Sequence, residues 1–347
     1  MMELKDFLKD HPEQFDFKRL MFDYYEHYKR NHTGDAKYTE LLEASKKIGE
    51  EKNGIKRWHY YRTLEKECYD QKEPKFYLFD CDSWNGTCDL TTEIYTVLWR
   101  DAPWPADMSK DRFGGDTMNS FAITFNALAS ERDTCSSYVQ YENSPGKFDV
   151  LEEYAKRTGC IGNFVLVPKD YNRDRGLSKL LCDYWDLSLD NLRRNRDARD
   201  WLDGVDMTFY EYVNAFFLWD YVDNTYHVRP LFPSHETLLK PAHELVLPRK
   251  YEQTAIDEFS IFTNNVNTRI LRRGLFMVAM LKIADNNKDE YKEIVKALAT
   301  DSRLGSMENV VQLCQDRGRQ SHFSHETLMT LSSLAERLKN VPIREED

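Results

Sequence analysis

Glycine and proline are scarce in this chain. Gly 14 and Pro 11 make 25 of 347 residues, about 7%, against roughly 12% in average usage. Collagen-like and low-complexity chains are excluded, and a turn-dense sandwich or barrel is disfavoured. A surplus of positive charge is also missing, since the formal net charge is −11. That argues against a uniformly basic coat for nucleic acid, while leaving room for a local cationic groove. Long apolar runs are absent too. The longest, Leu275 to Leu281, is far shorter than the roughly 20 residues a bilayer span requires. The opening MMELKDFLKDHPEQ lacks a basic start followed by an apolar core, so no secretory signal is expected. Cys68, Cys81, Cys88, Cys135, Cys160, Cys182 and Cys314 are irregularly spaced and contain no CxxC pair, which reads as reduced thiols. These features predict a cytoplasmic protein without a membrane segment. No Walker A, GxGxxG, HExxH, GxSxG or kinase signature is present.

What is present is helical periodicity. Hydrophobic residues make up 41% of the chain, ample for a core. Phe15, Phe17, Leu20, Met21, Tyr24, Tyr25 and Tyr28 fall at three- and four-residue spacings, which predicts an early amphipathic helix. A second helical stretch over 36–70 is broken at the turn signal Asn53-Gly54. KFYLFD (75–80) and the apolar run Phe164 to Val167 before Pro168 read as strands. The stretch 101–115 reads as a loop, after which Asp116 or Thr117 caps a helix. The pattern over 146–158 is helical, with Gly159 as its C′ glycine. Helices are expected at 177–200 and 207–220, and from 249 to the end. Prolines at 233, 241 and 248 mark 231–248 as a linker. The expectation is a mostly α protein with a small β element. It would comprise a helical N-terminal region (1–72), a central core domain (73–232) and a C-terminal helical region (249–340) packed on that core.

Two segments combine polar chemistry with rigid flanks. In GGDTMNSFAITFN (114–126), two glycines precede a capped helix whose free N–H groups would suit an anion. Asp116, Asn119 and Asn126 lie there, the two asparagines two helical turns apart. Alternatively Asp116 caps the helix and the asparagines bond loop backbone. In GNFVLVPKDYNRDRG (162–176), an apolar strand delivers Lys169, Asp170, Asn172, Arg173 and Arg175 to a polar loop, with Asn163 before the strand as a further candidate. Lysine and arginine there suit phosphate or carboxylate, or pair locally with the aspartates. Arginines cluster at Arg193, Arg194 and Arg196 and again at Arg269, Arg272 and Arg273, and either cluster would add to an anion groove if it faced 162–176. Asp190, Asp197 and Asp200 suit local pairing for the first cluster. Weaker metal readings rest on His322-x-x-His325, with Ser324 as an alternative helix cap, and on Asp80-x-Asp82.

The order GGDTMNSF, TFN, IGNFVLVPKDYNRDRG, YWDLSLDNLRR, FFLWDYV and VRPLF over 75–232, with RILRRGLFM at 269–277, resembles a bacterial family of uncharacterised domains. The resemblance implies an intracellular bacterial protein and carries no reaction. Gly162, Asn163, Leu166, Pro168 and Asn172 also resemble a segment of HNH-type nuclease domains. Those domains place a histidine base and metal ligands upstream. Here no histidine lies between His59 and His227. Three functions are therefore expected: a binding or regulatory protein for a phosphate-bearing ligand, nucleotide or nucleic-acid end; a degenerate HNH-like or other metal-dependent nuclease, as in phage defence; or a helical module that docks a protein partner.

Overall fold

In the computed structural model, the structure describes residues 2–20, 36–70, 81–84, 88–129, 133–177, 184–194, 200–231, 253–300 and 305–343. It is mostly α with one two-stranded antiparallel sheet. The chain begins with a single turn, α1 (Leu4–Phe7), and two 3-10 turns, Pro12–Gln14 and Phe17–Leu20. The early stripe is thus not one helix. Asp16 pairs across a β-bridge with Cys160, which holds the backbone extended between the two turns. Phe7, Phe15 and Phe17 nevertheless cluster, with ring centroids 5.2–5.8 Å apart. Tyr24, Tyr25 and Tyr28 lie outside the described residues, as do the strand expected at 75–80 and nearly all of the linker.

α2 (Ala36–Glu50) and α3 (Gly54–Asp70) follow, broken where Asn53-Gly54 foretold. α4 (Asp89–Tyr95) runs into a π-turn at Thr96–Arg100. Next come β1 (Phe113–Thr117), α5 (Phe121–Ala129), α6 (Thr134–Asn143), α7 (Asp149–Arg157), β2 (Phe164–Pro168) and α8 (Tyr171–Leu177). α9 (Trp185–Arg194) and α10 (Phe209–Ala215) lead to the C-terminal set: α11 (Gln253–Asn286), α12 (Lys288–Thr300), α13 (Met307–Gln320) and α14 (His325–Lys339). Local capping fixes several starts. Asp133 caps α6, a Thr208–Glu211 capping box opens α10, and Ser306 and Ser324 cap α13 and α14.

The β element differs from expectation in its partner. β2 forms where the apolar run predicts it, and all five residues are buried. Its partner is β1, inside the segment expected to be a loop and a helix start; the register runs from Phe113↔Pro168 to Thr117↔Phe164. A buried strand must satisfy its backbone groups, and that demand outweighs the poor strand propensity of Gly114-Gly115. Gly115 is required for a different reason. A Cβ there would sit 1.9 Å from the Asp82 carbonyl oxygen, which presses on the strand.

α11 is the element on which the others pack. Its 34 residues span about 50 Å. Phe259, Phe262, Val266 and Ile270 face inward at helical spacing, and Leu275 to Leu281 are all buried, so that stretch is covered on every side. Three arginines are buried with it. Arg273 donates from Nε to Phe216 O at 2.8 Å and from Nη1 to the carbonyls of Gly162 and Phe164. Burial pushes its guanidinium down to about 10. Arg269 donates to Asp220 O at 2.9 Å. Arg272 reaches the Asp220 carboxylate at 2.7 Å, Glu308 at 2.6 Å and the carbonyl of Val341 at 2.8 Å. Burial opposes the charge on Arg272, but Asp220 and Glu308 outweigh it and hold its pKa above the ordinary arginine value. Gly162 lies so close to α11 that a Cβ would fall 1.9 Å from Ile270 O.

The two carboxylates on Arg272 should differ sharply in worth. Asp220 is buried, whereas the Glu308 side chain is 59% exposed. Asp220→Ala leaves a buried cation short of its main partner and is expected to cost about 3–5 kcal/mol. Glu308→Ala should cost about 1 kcal/mol or less. Urea-unfolding free energies of the two variants check this, and equal losses would contradict it.

Candidate functional site

The sequence-predicted residues divide between the two ends of the hairpin. Asp116 lies in β1 opposite Val165, and its carboxylate accepts from Thr117 N at 2.8 Å. It does not cap the following helix, because strand pairing occupies 113–117 and α5 begins at Phe121, where Ser120 Oγ accepts from Ala122 N at 3.2 Å. Asn119 therefore precedes the helix rather than sharing a face with Asn126. Asn119 and Asn163 are fully buried and face one another. Asn163 Oδ1 accepts from Asn119 N at 3.1 Å, and its Nδ2 donates to Asn119 O at 3.0 Å and Thr158 O at 2.9 Å. Asn119 Oδ1 accepts from Trp185 N at 3.4 Å. These amides lock the hairpin to its neighbours, the backbone-bonding alternative, and offer no surface to a ligand. Asn126 accepts from Ser137 Oγ at 2.8 Å, tying α5 to α6.

At the opposite end, Lys169, Asn172 and Arg173 are exposed. The expected polar loop at 173–176 is instead part of α8, entered through Asp170 at φ 69. Arg175 lies on the same helix. Arg173 is 3.4 Å from Asp170 and 3.2 Å from Asp174, surface pairs worth about 1 kcal/mol or less. Asn163 and Lys169 are six strand residues apart, about 20 Å, so one small ligand cannot touch both. The arginine clusters do not converge on α8 either. Arg193 and Arg194 pair with Asp190 at 3.2 and 2.8 Å, and Arg196 lies outside the described residues. Arg273 does reach the 162–164 segment, but through buried backbone carbonyls. Ser324 caps α14 between the two histidines, and Asp80 is outside the described residues. Among the described residues no group of three His, Cys, Asp or Glu side chains gathers as a metal site, and no helix is long and apolar enough to cross a membrane.

A cationic concavity forms elsewhere, between the N-terminal turns, the α2–α3 junction and the end of α7. α7 buries Leu151, Tyr154 and Ala155 and leaves Glu152, Glu153, Lys156 and Arg157 on its other face. Glu152 seats α3 on that face. Its two carboxylate oxygens accept from Gly54 N at 2.6 Å and Ile55 N at 3.2 Å, filling the helix N-terminus with a protein anion. Gly54 is needed here, since a Cβ would stand 2.8 Å from Lys156 Cγ. Beyond α7, Gly159 is not the left-handed C′ residue expected. It permits close approach of Asp16, whose Oδ1 would lie 2.3 Å from a Cβ at that position. Asp16 accepts from Lys18 N at 2.9 Å and pairs with buried Arg57 at 2.6 Å.

The resulting cavity is about 210 Å³. Five cations line it, Arg19, Lys52, Arg57, Lys156 and Arg157, against two carboxylates, Asp16 and Glu153. Lys156 lies 2.9 Å from Glu153, and that hydrogen bond raises its pKa; Arg157 is 3.9 Å from the same carboxylate. Arg19 and Lys52 are exposed and have no ion-pair partner among the described residues. Cys160 lines the inner wall, where burial pushes its thiol well above the ordinary range. Residues 19, 52, 57, 156 and 157 share no motif, and none of them is singled out by sequence; the adjacent Lys156-Arg157 pair is the one local signal that could have pointed here. Set against family models, curated proteins and solved structures, the chain matches none.

The assigned roles predict opposite responses at the two hairpin ends. Asn163→Ala strips partners from buried groups and should cost about 1–3 kcal/mol. Lys169→Ala should stay within about 0.5 kcal/mol. Thermal unfolding of both variants distinguishes them.

Proposed function

We propose that this protein binds a small phosphate-bearing anion in the Arg57–Arg157 pocket and acts as a binding or regulatory protein. One observation carries the reading. Among the described residues, five cationic side chains from three separate stretches of a chain with net charge −11 converge on one cavity lined by two carboxylates. Such focusing raises the local concentration of anions whatever the net charge. Arginine and lysine together supply forked and point-charge donors for phosphate oxygens. The lining favours holding over turnover. No histidine is among the described residues that line it, and Cys160 is kept as a thiol. This proposal keeps the kind of function expected from sequence and assigns it to the junction of the N-terminal turns with α7 rather than to the hairpin.

Inorganic phosphate should raise the melting temperature above that in chloride at matched ionic strength. At 100 times Kd the expected stabilisation is about 2.7 kcal/mol. The Arg19→Glu/Lys52→Glu double variant should lose this response while keeping its unfolding cooperativity, because both side chains are exposed. An equal phosphate response in parent and variant would overturn the assignment.

A further inference from the structure

Resting on that anion-binding reading, we infer that the pocket selects a diphosphate group over a single phosphate. The group would be either free inorganic pyrophosphate or the terminal diphosphate of a nucleotide whose remainder stays outside. Charge is the first argument. Among the described residues the lining carries five positive and two negative groups, a surplus of three. One phosphate brings about −1.5 to −2, whereas two linked phosphates bring about −3 and neutralise that surplus. Size is the second. A volume of about 210 Å³ is room for several water-sized groups. A diphosphate, with seven oxygens against four, can reach more of that lining than a single phosphate can. The cavity is also below the roughly 300–1,000 Å³ typical for whole drug-sized ligands, so a base and ribose do not fit beside the phosphates.

The third argument is how the cations are already employed. Arg57 is engaged by Asp16 at 2.6 Å and Lys156 by Glu153 at 2.9 Å. Arg19 and Lys52 carry no such pairing among the described residues, and Arg157 only a distant one at 3.9 Å. These three come from separate stretches: the second N-terminal turn, the α2–α3 junction and the last turn of α7. An anion with two charged centres meets three dispersed donors better than one with a single centre. Asp16 and Glu153 remain in place and penalise any ligand too weakly charged to offset them.

Calorimetric titration of the full chain tests the inference with inorganic phosphate, pyrophosphate, AMP and ADP, in EDTA at one ionic strength. Pyrophosphate should bind about tenfold or more tighter than phosphate, the worth of one charge-assisted contact. AMP should fall with phosphate. ADP binding close to pyrophosphate identifies a nucleotide terminus as an acceptable source, and pyrophosphate binding without ADP identifies the free anion; both support a diphosphate site. Arg19→Ala with Lys52→Ala should weaken pyrophosphate at least tenfold, and Arg173→Ala should leave it unchanged. Equal affinity for phosphate and pyrophosphate overturns the diphosphate inference and leaves the anion pocket standing. ADP binding without pyrophosphate overturns it too, because the nucleoside would then be what is held. Binding of none of the four overturns both readings.

Discussion

Three buried guanidinium groups on one helix hold this molecule together. Placing a cation in a dry interior is expensive, and the chain offsets the cost in two ways. Arg272 meets a buried carboxylate, Asp220, and an exposed one, Glu308. Arg273 instead collects backbone carbonyls from Gly162, Phe164 and Phe216. Those carbonyls belong to segments far apart in sequence, so one side chain sets the spacing between β2, the end of α10 and α11. The glycine contact at Gly162–Ile270 brings the turn close enough for Arg273 to reach it.

Local rules made much of the architecture legible. The break at Asn53-Gly54, the Ser324 cap and the apolar run of β2 each depend on a few neighbouring residues. β1 was not legible, because Gly114-Gly115-Asp116 has little strand propensity and pairs only because β2 must have a partner. Gly159 misled for a similar reason. After a helix it reads as a C′ residue, yet its lack of a side chain serves Asp16, more than a hundred positions earlier.

The polar segments were legible as unusual but not in their role. Asn119 and Asn163 stand out in apolar surroundings whether they hold a ligand or each other, and only the fold decides between these. The cationic pocket was hidden for the opposite reason. Its charges look like ordinary solvated residues on three short stretches, and their proximity follows from Glu152 at the start of α3 and Asp16 against Arg57. An acidic residue, by holding a helix end in position, thus helps to gather the basic ones.

Glu13, directly before the pocket's Gln14, Phe15 and Asp16, is buried and paired with Arg337 on α14. The N-terminal wall of the cavity is therefore tethered to a residue 324 positions later. During synthesis the first wall emerges from the ribosome long before its anchor exists. Loop closure on that scale comes late in folding. A nascent chain in which α14 has not yet formed lacks this tether, so the wall gains its last anchor only after Arg337 has been made.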